Sequence, residues 1–329
     1  MREPAFWRRP GALAGCLLAQ LGAIYGAVAA WRMARPGVAA GIPVLCIGNL
    51  TAGGAGKTPA AMAVAQLLQQ AGKRPFVLSR GYGGRLAGPV RVDPQAHGAV
   101  DVGDEPLLLV RVAPTIVAHD RVAGAQAARS AGADVIVMDD GFQNSSLKKD
   151  LSIVVVDGRG GIGNGCVFPA GPLRAPLSAQ LEHAGALLVI GEGAAADTVI
   201  AAAPGLPLFH GRLEPDAQAV AALRPHKVLA FAGIGDPEKF FGTLSEAGID
   251  VAARQAFADH HRYSGAEADG LIARARREGL TLVTTEKDLA RLKGESGLRA
   301  LAEQARALPV RLVVTEAEAF RRLVLGAAD

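Results

Sequence analysis

The residues best suited to chemistry lie in the stretch Thr51–Thr58, which reads Thr-Ala-Gly-Gly-Ala-Gly-Lys-Thr. Glycines let the backbone turn tightly enough for successive N–H groups to face one anion. Lys57 would reach the β- and γ-phosphates of a nucleotide, and the Thr58 hydroxyl would complete a Mg²⁺ shell. We predict that this stretch binds a nucleotide, through Thr51, Ala52, Gly53, Gly54, Ala55, Gly56, Lys57 and Thr58. The alternative is a glycine-rich surface turn, because the general pattern has glycine where Thr51 stands.

Two consecutive acids, Asp139 and Asp140, follow the apolar run 134–138. A carboxylate at the carboxyl end of a neighbouring parallel strand can hold Mg²⁺, directly or through water. A lone aspartate after a strand is usually a turn residue, but two in a chain that already has a phosphate loop favour a metal site. We therefore predict Mg²⁺ as the cofactor, with Thr58, Asp139 and Asp140 as its ligands.

Other charged residues stand where strands are expected to end. Asp104 alone would most often cap a helix. Arg80 lies in a glycine-rich turn that could either grip an anionic substrate or form a solvated hairpin. Arg174 lies in the Gly-, Pro- and Arg-rich segment 158–176, and so long a loop is usually functional or a lid. His260 precedes a second histidine, but no cysteine or third histidine is spaced to complete a zinc site.

The elements that would position these residues alternate in type. Apolar runs at 42–47, 75–79, 115–118, 134–138, 152–156 and 186–190 indicate strands, and helical stretches lie between them. This alternation predicts an α/β fold with a doubly wound, mostly parallel sheet. Ligands of such a sheet bind at the carboxyl ends of its strands, where the phosphate loop, Asp104 and Asp139 all fall.

An Ala-, Pro- and Gly-rich stretch at 201–207 predicts a domain boundary. Beyond it, strands are expected at 227–232, 250–257, 281–284 and 309–314, which would form a second, smaller α/β domain. The predicted organisation is an apolar N-terminal helix in residues 1–40, a core domain in 41–205 and a smaller domain in 206–329. His260 then lies across the boundary from Asp104.

Residues 11–31 carry no charge, and about 20 apolar residues suffice to cross a bilayer. Trp7 and Trp31 stand at the two ends of the segment, as interfacial anchors would. Three interpretations compete: a cleaved signal peptide, a buried soluble helix and a membrane-associated helix. A signal peptide would export the phosphate loop to a place without ATP. Membrane association is favoured, with spanning the bilayer and lying in its interface both open.

The overall composition limits the partners. The chain has 329 residues, a formal net charge of +4 and a sequence pI of about 9.1. Because the basic residues form no Lys/Arg block, an anionic small molecule or membrane surface fits better than nucleic acid, which we do not expect as a partner. Three cysteines far apart suggest neither disulfides nor a metal cluster, and favour a reducing compartment.

Taken together, these motifs resemble the tetraacyldisaccharide 4′-kinase family, the lipid A 4′-kinases of Gram-negative bacteria. Thr51 at the start of the loop is also typical of that family. Asn144 and Ala175 differ from residues that many or some members carry, and neither is given a role. The markers, in chain order, are Val44 to Pro59 with the phosphate loop, Ser79-Arg80-Gly81-Tyr82, Gly103-Asp104-Glu105-Pro106, Asp139-Asp140-Gly141-Phe142-Gln143, Pro169-Ala170-Gly171-Pro172-Leu173-Arg174, Asp259-His260 and Thr284-Thr285-Glu286-Lys287-Asp288.

The resemblance implies a P-loop NTPase-like fold and transfer of the γ-phosphate of ATP to the 4′-hydroxyl of a tetraacyl glucosamine disaccharide 1-phosphate, a late step of lipid A biosynthesis. It implies that Asp104 is the catalytic base, assisted by His260. Because His260 lies across the predicted domain boundary, domain closure would gate the reaction. We expect the enzyme at the cytoplasmic face of the inner membrane, peripheral or anchored by its N-terminal helix. Four residues are candidate contacts to the lipid substrate: Arg80, Arg121, Gln143 and Arg174.

Two alternative functions stay open from the sequence. One is a membrane-tethered P-loop ATPase that acts as a switch or motor, since such proteins use similar paired glycines. The other is a nucleotide-binding regulatory module without chemistry of its own. The presence of Asp104, Asp139 and His260 argues against the module, because pure binding needs no base.

Overall fold

The structure is a computed structural model that describes residues 4–9 and 11–329. In this part of the chain the strands form a nine-stranded sheet and a separate four-stranded sheet. The large sheet has the order β13-β8-β7-β6-β1-β5-β2-β4-β3 and the small sheet the order β10-β9-β11-β12. The strands are β1 Val44–Asn49, β2 Pro75–Ser79, β3 Val90–Arg91, β4 Thr115–Val117, β5 Val135–Asp139, β6 Leu151–Asp157, β7 Ala186–Ile190, β8 Leu208–Pro215, β9 Lys227–Ala232, β10 Asp250–Ala256, β11 Thr281–Thr285, β12 Arg306–Leu308 and β13 Val310–Val314.

Helices connect most of these strands. Many are short, and three 3₁₀ turns, at Ala5–Arg8, Ala194–Ala196 and Ser296–Leu298, accompany them in the described residues. The α-helices are α1 Leu13–Met33, α2 Lys57–Gln70, α3 Ala99–Val102, α4 Asp104–Leu109, α5 Arg121–Ser130, α6 Leu177–Leu181, α7 Asp197–Ala202, α8 Ala217–Leu223, α9 Pro237–Glu246, α10 Gly265–Glu278, α11 Glu286–Lys293, α12 Arg299–Gln304 and α13 Ala317–Gly326.

The large sheet is parallel except at its two edges. Strands β8, β7, β6, β1, β5, β2 and β4 run parallel, whereas β13 and β3 pair antiparallel with β8 and β4. Every residue of β1 and β5 is buried, as expected for strands covered by helices on both faces. One face packs against α2, α4 and α13, and the other against α5, α6 and α7. The predicted doubly wound, mostly parallel sheet is confirmed.

The small sheet is also sandwiched between helices. Helices α10, α11 and α12 cover one face through residues such as Leu271, Leu292 and Leu301, and α8 and α9 cover the other. Its four strands are all parallel. The predicted smaller α/β unit is therefore present, and it contains the region around His260.

The sheets divide the chain differently from the predicted boundary at residue 205. Strand β8 pairs parallel with β7, and β13, predicted to complete the smaller domain, instead pairs antiparallel with β8. The physical reason is burial: Leu213 and Leu312 pack into the core of the large sheet. The smaller unit leaves and rejoins the large sheet at one place, where Asp216 N donates to Pro309 O at 2.9 Å. We therefore propose residues 216–309 as the smaller domain, inserted between β8 and β13.

Helix α1 lies against the segment 164–176 through a face of glycines. A Cβ atom on Gly22 would stand 2.8 Å from the Val167 carbonyl oxygen, and one on Gly26 would stand 3.3 Å from Pro176 Cγ. The spacing of these glycines thus allows close packing within the chain. The opposite face exposes large apolar side chains, among them Leu17 at 73 %.

By length and composition α1 is able to cross a membrane. In its most apolar 18-residue window the mean hydropathy is 1.7 and only 17 % of the residues are buried. Such low burial does not match the interpretation of this segment as a buried helix of a soluble protein. Among the described residues it is the one helix that meets these criteria.

Candidate active site

The phosphate loop joins the end of β1 to the first turn of α2. Its backbone requires glycine at two points, because Gly53 and Gly56 have φ values of 113° and 89°. A side chain on Gly56 would also collide with Ile190, whose Cδ1 lies 2.9 Å from the position of a Cβ atom. Above Gly53 and Gly54, in contrast, a Cβ atom would meet nothing within 4 Å. The loop thus has a packed inner side and an open outer side at which an anion can approach its N–H groups.

Contacts from distant segments fix both ends of this loop. Ala52 N donates to Pro172 O at 2.8 Å, and Thr51 forms a β-bridge with Leu173. The Lys57 ammonium group donates to Gly53 O at 3.3 Å and is almost completely buried. Burial lowers the pKa of Lys57, while the Asp140 carboxylate 3.8 Å away favours the charged form. The loop is therefore preorganised, with its lysine folded over its open side.

Asp139 ends β5 and lies beside Ile47 of β1 in the sheet register. Both of its carboxyl oxygens are buried and have no hydrogen-bond partner among the described residues. Burial, together with the negative charges of Glu105 and Asp140, raises the pKa of Asp139 to about 8. Burying a carboxylate without hydrogen-bond partners costs free energy, and a bound cation would compensate its charge.

The donor set fits Mg²⁺ bound with a nucleotide. Such an ion usually takes one or two carboxylates and completes its shell with water and phosphate oxygens. Among the described residues no cluster of three or more His, Cys, Asp or Glu side chains occurs that could hold a metal. Thr58, buried at the start of α2, and the unpartnered Asp139 are the residues suited to hold it.

Asp140 has a different environment from its neighbour. Its carboxylate accepts two hydrogen bonds from the Arg174 guanidinium, at 2.7 Å from Nη1 and 3.2 Å from Nη2. Burial acts to raise the pKa of Asp140, but Lys57 and Arg174 outweigh it and lower the pKa to about 2. Asp140 is thus a charged carboxylate already paired with two cations, and its predicted role as a metal ligand stays a prediction.

Two predicted substrate contacts lie on this same cluster. Arg174 is turned toward Asp140, and Gln143 donates from Nε2 to Asn49 O at 2.7 Å and to Gln180 Oε1 at 2.8 Å. Gln143 therefore supports the segment that leads into the phosphate loop. Their contacts with the substrate stay predictions.

The other two predicted contacts, Arg80 and Arg121, form a cationic pair. Arg121 is buried, its Nη1 donates to Ala118 O, and its Nε has no partner in the described structure. Burial lowers the pKa of Arg121, and the nearby charge of the exposed Arg80 lowers it further. The negative charges of Asp139 and Asp140 act on the pKa of Arg121 in the opposite direction. An anion bound here would compensate both guanidinium groups.

Asp104 and His260 meet at the contact between the two units. Asp104 starts α4 and is 4 % exposed, and its Oδ1 lies 3.5 Å from His260 Nδ1. Burial acts to raise the pKa of Asp104, but the His260 hydrogen bond and the Arg291 charge hold it well below its usual range. The same hydrogen bond raises the pKa of His260 above the ordinary 6.5 of histidine. The structure thus brings these two predicted catalytic residues together.

The Asp104–His260 pair lies next to the phosphate loop. Glu105 follows Asp104 directly. Burial acts to raise the pKa of Glu105, but the charges of Lys287 and Lys57 outweigh burial and lower it. Helices α2 and α4, which begin at Lys57 and Asp104, pack on each other. The small unit also reaches the loop, because a Cβ atom on Gly235 would stand 3.5 Å from Gly54 N. The phosphate loop, the unpartnered Asp139 carboxylate and the candidate base therefore converge at one end of the large sheet.

This arrangement was compared with known proteins. A family model described as tetraacyldisaccharide-1-P 4′-kinase matches residues 14–328. The chain belongs to the tetraacyldisaccharide 4′-kinase family. The protein is therefore an enzyme, an ATP-dependent kinase, and the resemblance inferred from the motifs is confirmed.

Similar members of the tetraacyldisaccharide 4′-kinase family come from several bacteria. The tetraacyldisaccharide 4′-kinase of Rhodopseudomonas palustris strain BisB18 is 58 % identical over 327 residues, which is 99 % of this chain and 95 % of that protein. The one from Methylobacterium radiotolerans is 58 % identical over 330 residues, covering 99 % of both chains. The crystal structure of LpxK from Aquifex aeolicus in complex with ATP has a TM-score of 0.76 and 26 % identity, and the match covers 96 % of this chain and all of that one.

Two further charged residues of this kinase, Lys287 and Arg291, complete the site and were given no role from the sequence. Lys287 Nζ contacts Glu105 Oε1 at 2.6 Å, and Arg291 Nε donates to Asp104 Oδ2 at 2.8 Å. A signal for them existed, because Lys287 and Arg291 stand four residues apart and therefore share one face of α11. That face meets the Asp104-Glu105 pair at the start of α4.

Proposed function

We propose that this kinase transfers the γ-phosphate of ATP to the 4′-hydroxyl of a tetraacyl glucosamine disaccharide 1-phosphate, a late step of lipid A biosynthesis. The observation that carries the proposal is the convergence of three groups: the phosphate loop, the unpartnered Asp139 at the end of the adjacent strand, and the Asp104–His260 pair. Membership in the family supports the acceptor. The alternatives of a motor ATPase and a regulatory module lose their support, because the similar relatives are named as kinases.

The eight residues 51–58 would bind the triphosphate of ATP. The Ala52 N–H is already bonded to Pro172 O, so the remaining N–H groups of the loop and the positive end of the α2 dipole would meet the phosphates. The Lys57 ammonium would exchange its bond to Gly53 O for the β- and γ-phosphate oxygens. Phosphoryl transfer depends mostly on such positioning and charge neutralisation.

Thr58 and Asp139 would hold Mg²⁺, with Asp140 as a further candidate. When bound, the ion neutralises charge that develops on the β- and γ-phosphates. The chain's own contribution is the placement of Asp139, whose oxygens have no protein donors and are thus free for this duty. Arg174 and Lys57 keep Asp140 charged beside it.

The acceptor hydroxyl needs a group to take its proton. As the 4′-oxygen forms its bond to the γ-phosphorus, the bond from that phosphorus to the bridging oxygen of ADP breaks, and the proton passes to the Asp104–His260 pair. Asp104 alone is a weak base, since its pKa is lowered. His260 shares the proton across the 3.5 Å contact between its Nδ1 and Asp104 Oδ1, and its raised pKa matches this task.

The cationic residues would hold the anionic parts of the substrates. Arg121, with its unpartnered Nε, and Arg80 beside it suit the 1-phosphate of the disaccharide or the phosphoryl group in transfer. Arg174 and Gln143 would act next to Asp140. Clamps of this kind position reactants and reduce the entropy lost in the transition state.

The N-terminal helix would bring the enzyme to its lipid. A tetraacylated substrate stays in the bilayer, so the kinase must work at the membrane surface. The exposed face of α1 offers Leu17, Ile24 and Trp31 to the apolar layer. Arg35 stacks over the Trp31 ring at 3.7 Å and, with Arg32, favours the anionic cytoplasmic leaflet of the inner membrane.

Dependence of ATP turnover on the acceptor tests this proposal. Purified enzyme is incubated with ATP and Mg²⁺, with and without the tetraacyl disaccharide 1-phosphate in mixed micelles, and lipids are examined by mass spectrometry. We expect little ATP consumption without lipid, and one phosphate added per ATP consumed when lipid is present. Equal ATP consumption in both samples, with no phosphorylated lipid, would refute the proposal.

A further inference from the structure

Arg291 connects the small unit to the candidate base through both edges of its guanidinium group. From one edge, Nε donates to Asp104 Oδ2 at 2.8 Å and Nη2 donates to the same oxygen at 2.5 Å. From the other edge, Nη1 donates to Asp288 Oδ1 at 2.8 Å and to Gly233 O at 2.6 Å. The Arg291 side chain is 9 % exposed, and that of Asp104 is 4 % exposed. Arg291 therefore reaches from its own unit into the buried surroundings of the base.

The small unit holds Arg291 in place independently of Asp104. Asp288 is completely buried and accepts hydrogen bonds from Thr285 Oγ1 at 2.6 Å and from Tyr263 OH at 2.9 Å. Its two oxygens also accept from Gly233 N, each at 3.1 Å. Because Asp288 is itself fixed by these donors, the direction of the Arg291 guanidinium is set before it meets Asp104.

We propose that Arg291 is a positioning residue for the phosphoryl-transfer reaction, which orients the Asp104 carboxylate so that one oxygen serves the chemistry. The inference rests on the proposed role of Asp104 as base. Of the two Asp104 oxygens, Arg291 contacts Oδ2 alone, which leaves Oδ1 3.5 Å from His260 Nδ1. Arg291 Nη2 also lies 3.5 Å from that same nitrogen. A carboxylate gripped by two donors at one oxygen cannot rotate freely, so Oδ1 stays in line for the acceptor hydroxyl and for His260.

The chemistry of the guanidinium explains why arginine is required for this task. Its donors lie in one rigid plane, so it can bind Asp104 on one edge and Asp288 on the other. A lysine at position 291 would supply one nitrogen, which cannot reach both carboxylates with the same geometry. Lysine would keep the positive charge near Asp104 but lose the fixed orientation.

A second ion pair between the same two units provides a matched control. Arg111 lies between α4 and β4, and its Nη1 donates to Glu286 Oε1 at 2.9 Å. Glu286 begins α11, the helix that carries Arg291. Replacing Arg111 with Met therefore removes a contact between α11 and the large unit without touching Asp104 or His260.

The experiment compares Arg291→Met, Arg291→Lys and Arg111→Met in the full-length kinase with ATP and the tetraacyl disaccharide 1-phosphate. For Arg291→Met we expect kcat to fall about 10²-fold, the loss typical of a misplaced catalytic group, while KM for ATP changes less than about twofold. Arg291→Lys should lose nearly as much kcat. Arg111→Met should keep kcat within about twofold of wild type. A wild-type kcat in Arg291→Met would overturn the inference.

The pH dependence of kcat/KM separates positioning from a loss of structure. Asp104 faces Arg291 and Lys287 of α11 and also His260, and Glu105 flanks Asp104 on α4. His260 faces Asp104, Asp259 and Arg291. The Arg291 charge lowers the pKa of both Asp104 and His260, so the acidic limb should move to higher pH in Arg291→Met. Arg291→Lys should leave the limb near its wild-type position. An unchanged limb in Arg291→Met would contradict the inference.

A double variant decides whether Arg291 acts through Asp104. If it does, adding Arg291→Met to Asp104→Asn should change the remaining activity less than about threefold, whereas independent effects would multiply. A further loss of about 10²-fold in the double variant would assign Arg291 a structural role and overturn the proposal. Where Arg291→Met lacks a cooperative melting transition, the same cycle is run with Arg291→Lys.

The single variant Asp104→Asn distinguishes a failure of the proposed role of Asp104 from a failure of the role of Arg291. If Asp104→Asn transfers phosphate as fast as wild type, the proposed role of Asp104 fails and the inference fails with it. If Asp104→Asn is inactive while Arg291→Met keeps the wild-type kcat and acidic limb, only the role of Arg291 is wrong.

Discussion

Replacing Asp139 by Asn should make the nucleotide-free protein more stable while it removes activity. The wild-type carboxylate is buried, has no hydrogen-bond partner and lies near the negative charges of Glu105 and Asp140. The fold tolerates this unfavourable group at the position where a cation is needed. An amide of the same shape carries no charge, so it avoids the repulsion but is a poor ligand for Mg²⁺.

The size of the gain follows from the pKa of Asp139, which is raised from 3.8 to about 8. An acid with a raised pKa in the folded state resists ionisation there, so Asp139 lowers the free energy of unfolding once the unfolded chain ionises. This loss of stability is absent below pH 3.8 and complete above about pH 8. At pH 7 this amounts to roughly 4 kcal/mol. A buried amide without partners still costs about 1–3 kcal/mol. The net gain of about 2 kcal/mol corresponds to a Tm increase of about 4–8 °C for a unit of this size.

Thermal unfolding of wild type and Asp139→Asn measures this gain. The melts are recorded at pH 7 with a chelator and without nucleotide, and then with ATP and Mg²⁺. Asp157→Asn is the matched control, because Asp157 ends the nearby strand β6 but its carboxylate is paired with Lys239 Nζ at 3.3 Å. We expect only Asp139→Asn to melt higher than wild type without ligand, and ATP with Mg²⁺ to stabilise wild type more than this variant.

Two results would refute this reasoning. A Tm of Asp139→Asn at or below that of wild type in the absence of nucleotide would show that Asp139 is not an uncompensated charge. Equal stabilisation of both proteins by ATP with Mg²⁺ would show that Asp139 does not hold the ion.

Three further predictions follow from the base, from the exposed face of α1 and from its packed face. Replacing His260 by Asn should lower kcat by about 10²-fold or more while ATP affinity stays nearly unchanged. Activity needs neutral His260, so wild-type kcat/KM should fall as pH drops through a value above 6.5. This acidic limb of the pH profile should vanish in the variant. A loss of ATP affinity as large as the loss of kcat would count against a role of His260 in proton transfer. Changing Leu17 and Ile24 together to Gln should weaken binding to anionic vesicles at least about tenfold in a flotation assay, since each side chain contributes about 1.5–3 kcal/mol when buried; unchanged flotation would exclude this face as the membrane contact. Gly22→Leu should lower stability to chemical denaturation by about 1–3 kcal/mol through its clash with the neighbouring loop, and Ala27→Leu on the exposed side should not; equal effects of the two would argue against the packing of α1.

The phosphate loop and the strands near it could be predicted because their signals are local. The apolar run of β1, the glycines and the Lys57-Thr58 pair stand next to one another in the sequence, and the position of Asp139 follows from the end of its own strand. Strand β8 was not predicted, although Phe209 and Leu213 alternate there with charged residues. Its burial pattern is that of a strand near a sheet edge, where few positions are fully covered.

The partners of the site residues could not be predicted because they come from distant parts of the chain. Arg174 meets Asp140 across 34 positions, and Arg291 meets Asp104 across 187. Strand β13 joined the large sheet for the same reason, since its partner β8 precedes the whole smaller unit. Local patterns indicate which residues are able to do chemistry, whereas the fold decides which of them are paired.

The most direct test of the account is the single-turnover rate at which labelled γ-phosphate moves from ATP to the 4′-oxygen of the tetraacyl disaccharide 1-phosphate. Wild type and Asp104→Asn are compared at saturating ATP, with the ATP affinity of each measured separately. We expect the two proteins to bind ATP with affinities within about twofold of each other. Asp104→Asn should transfer phosphate about 10²–10⁴-fold more slowly than wild type. Equal transfer rates, or label that appears only in inorganic phosphate, would contradict it.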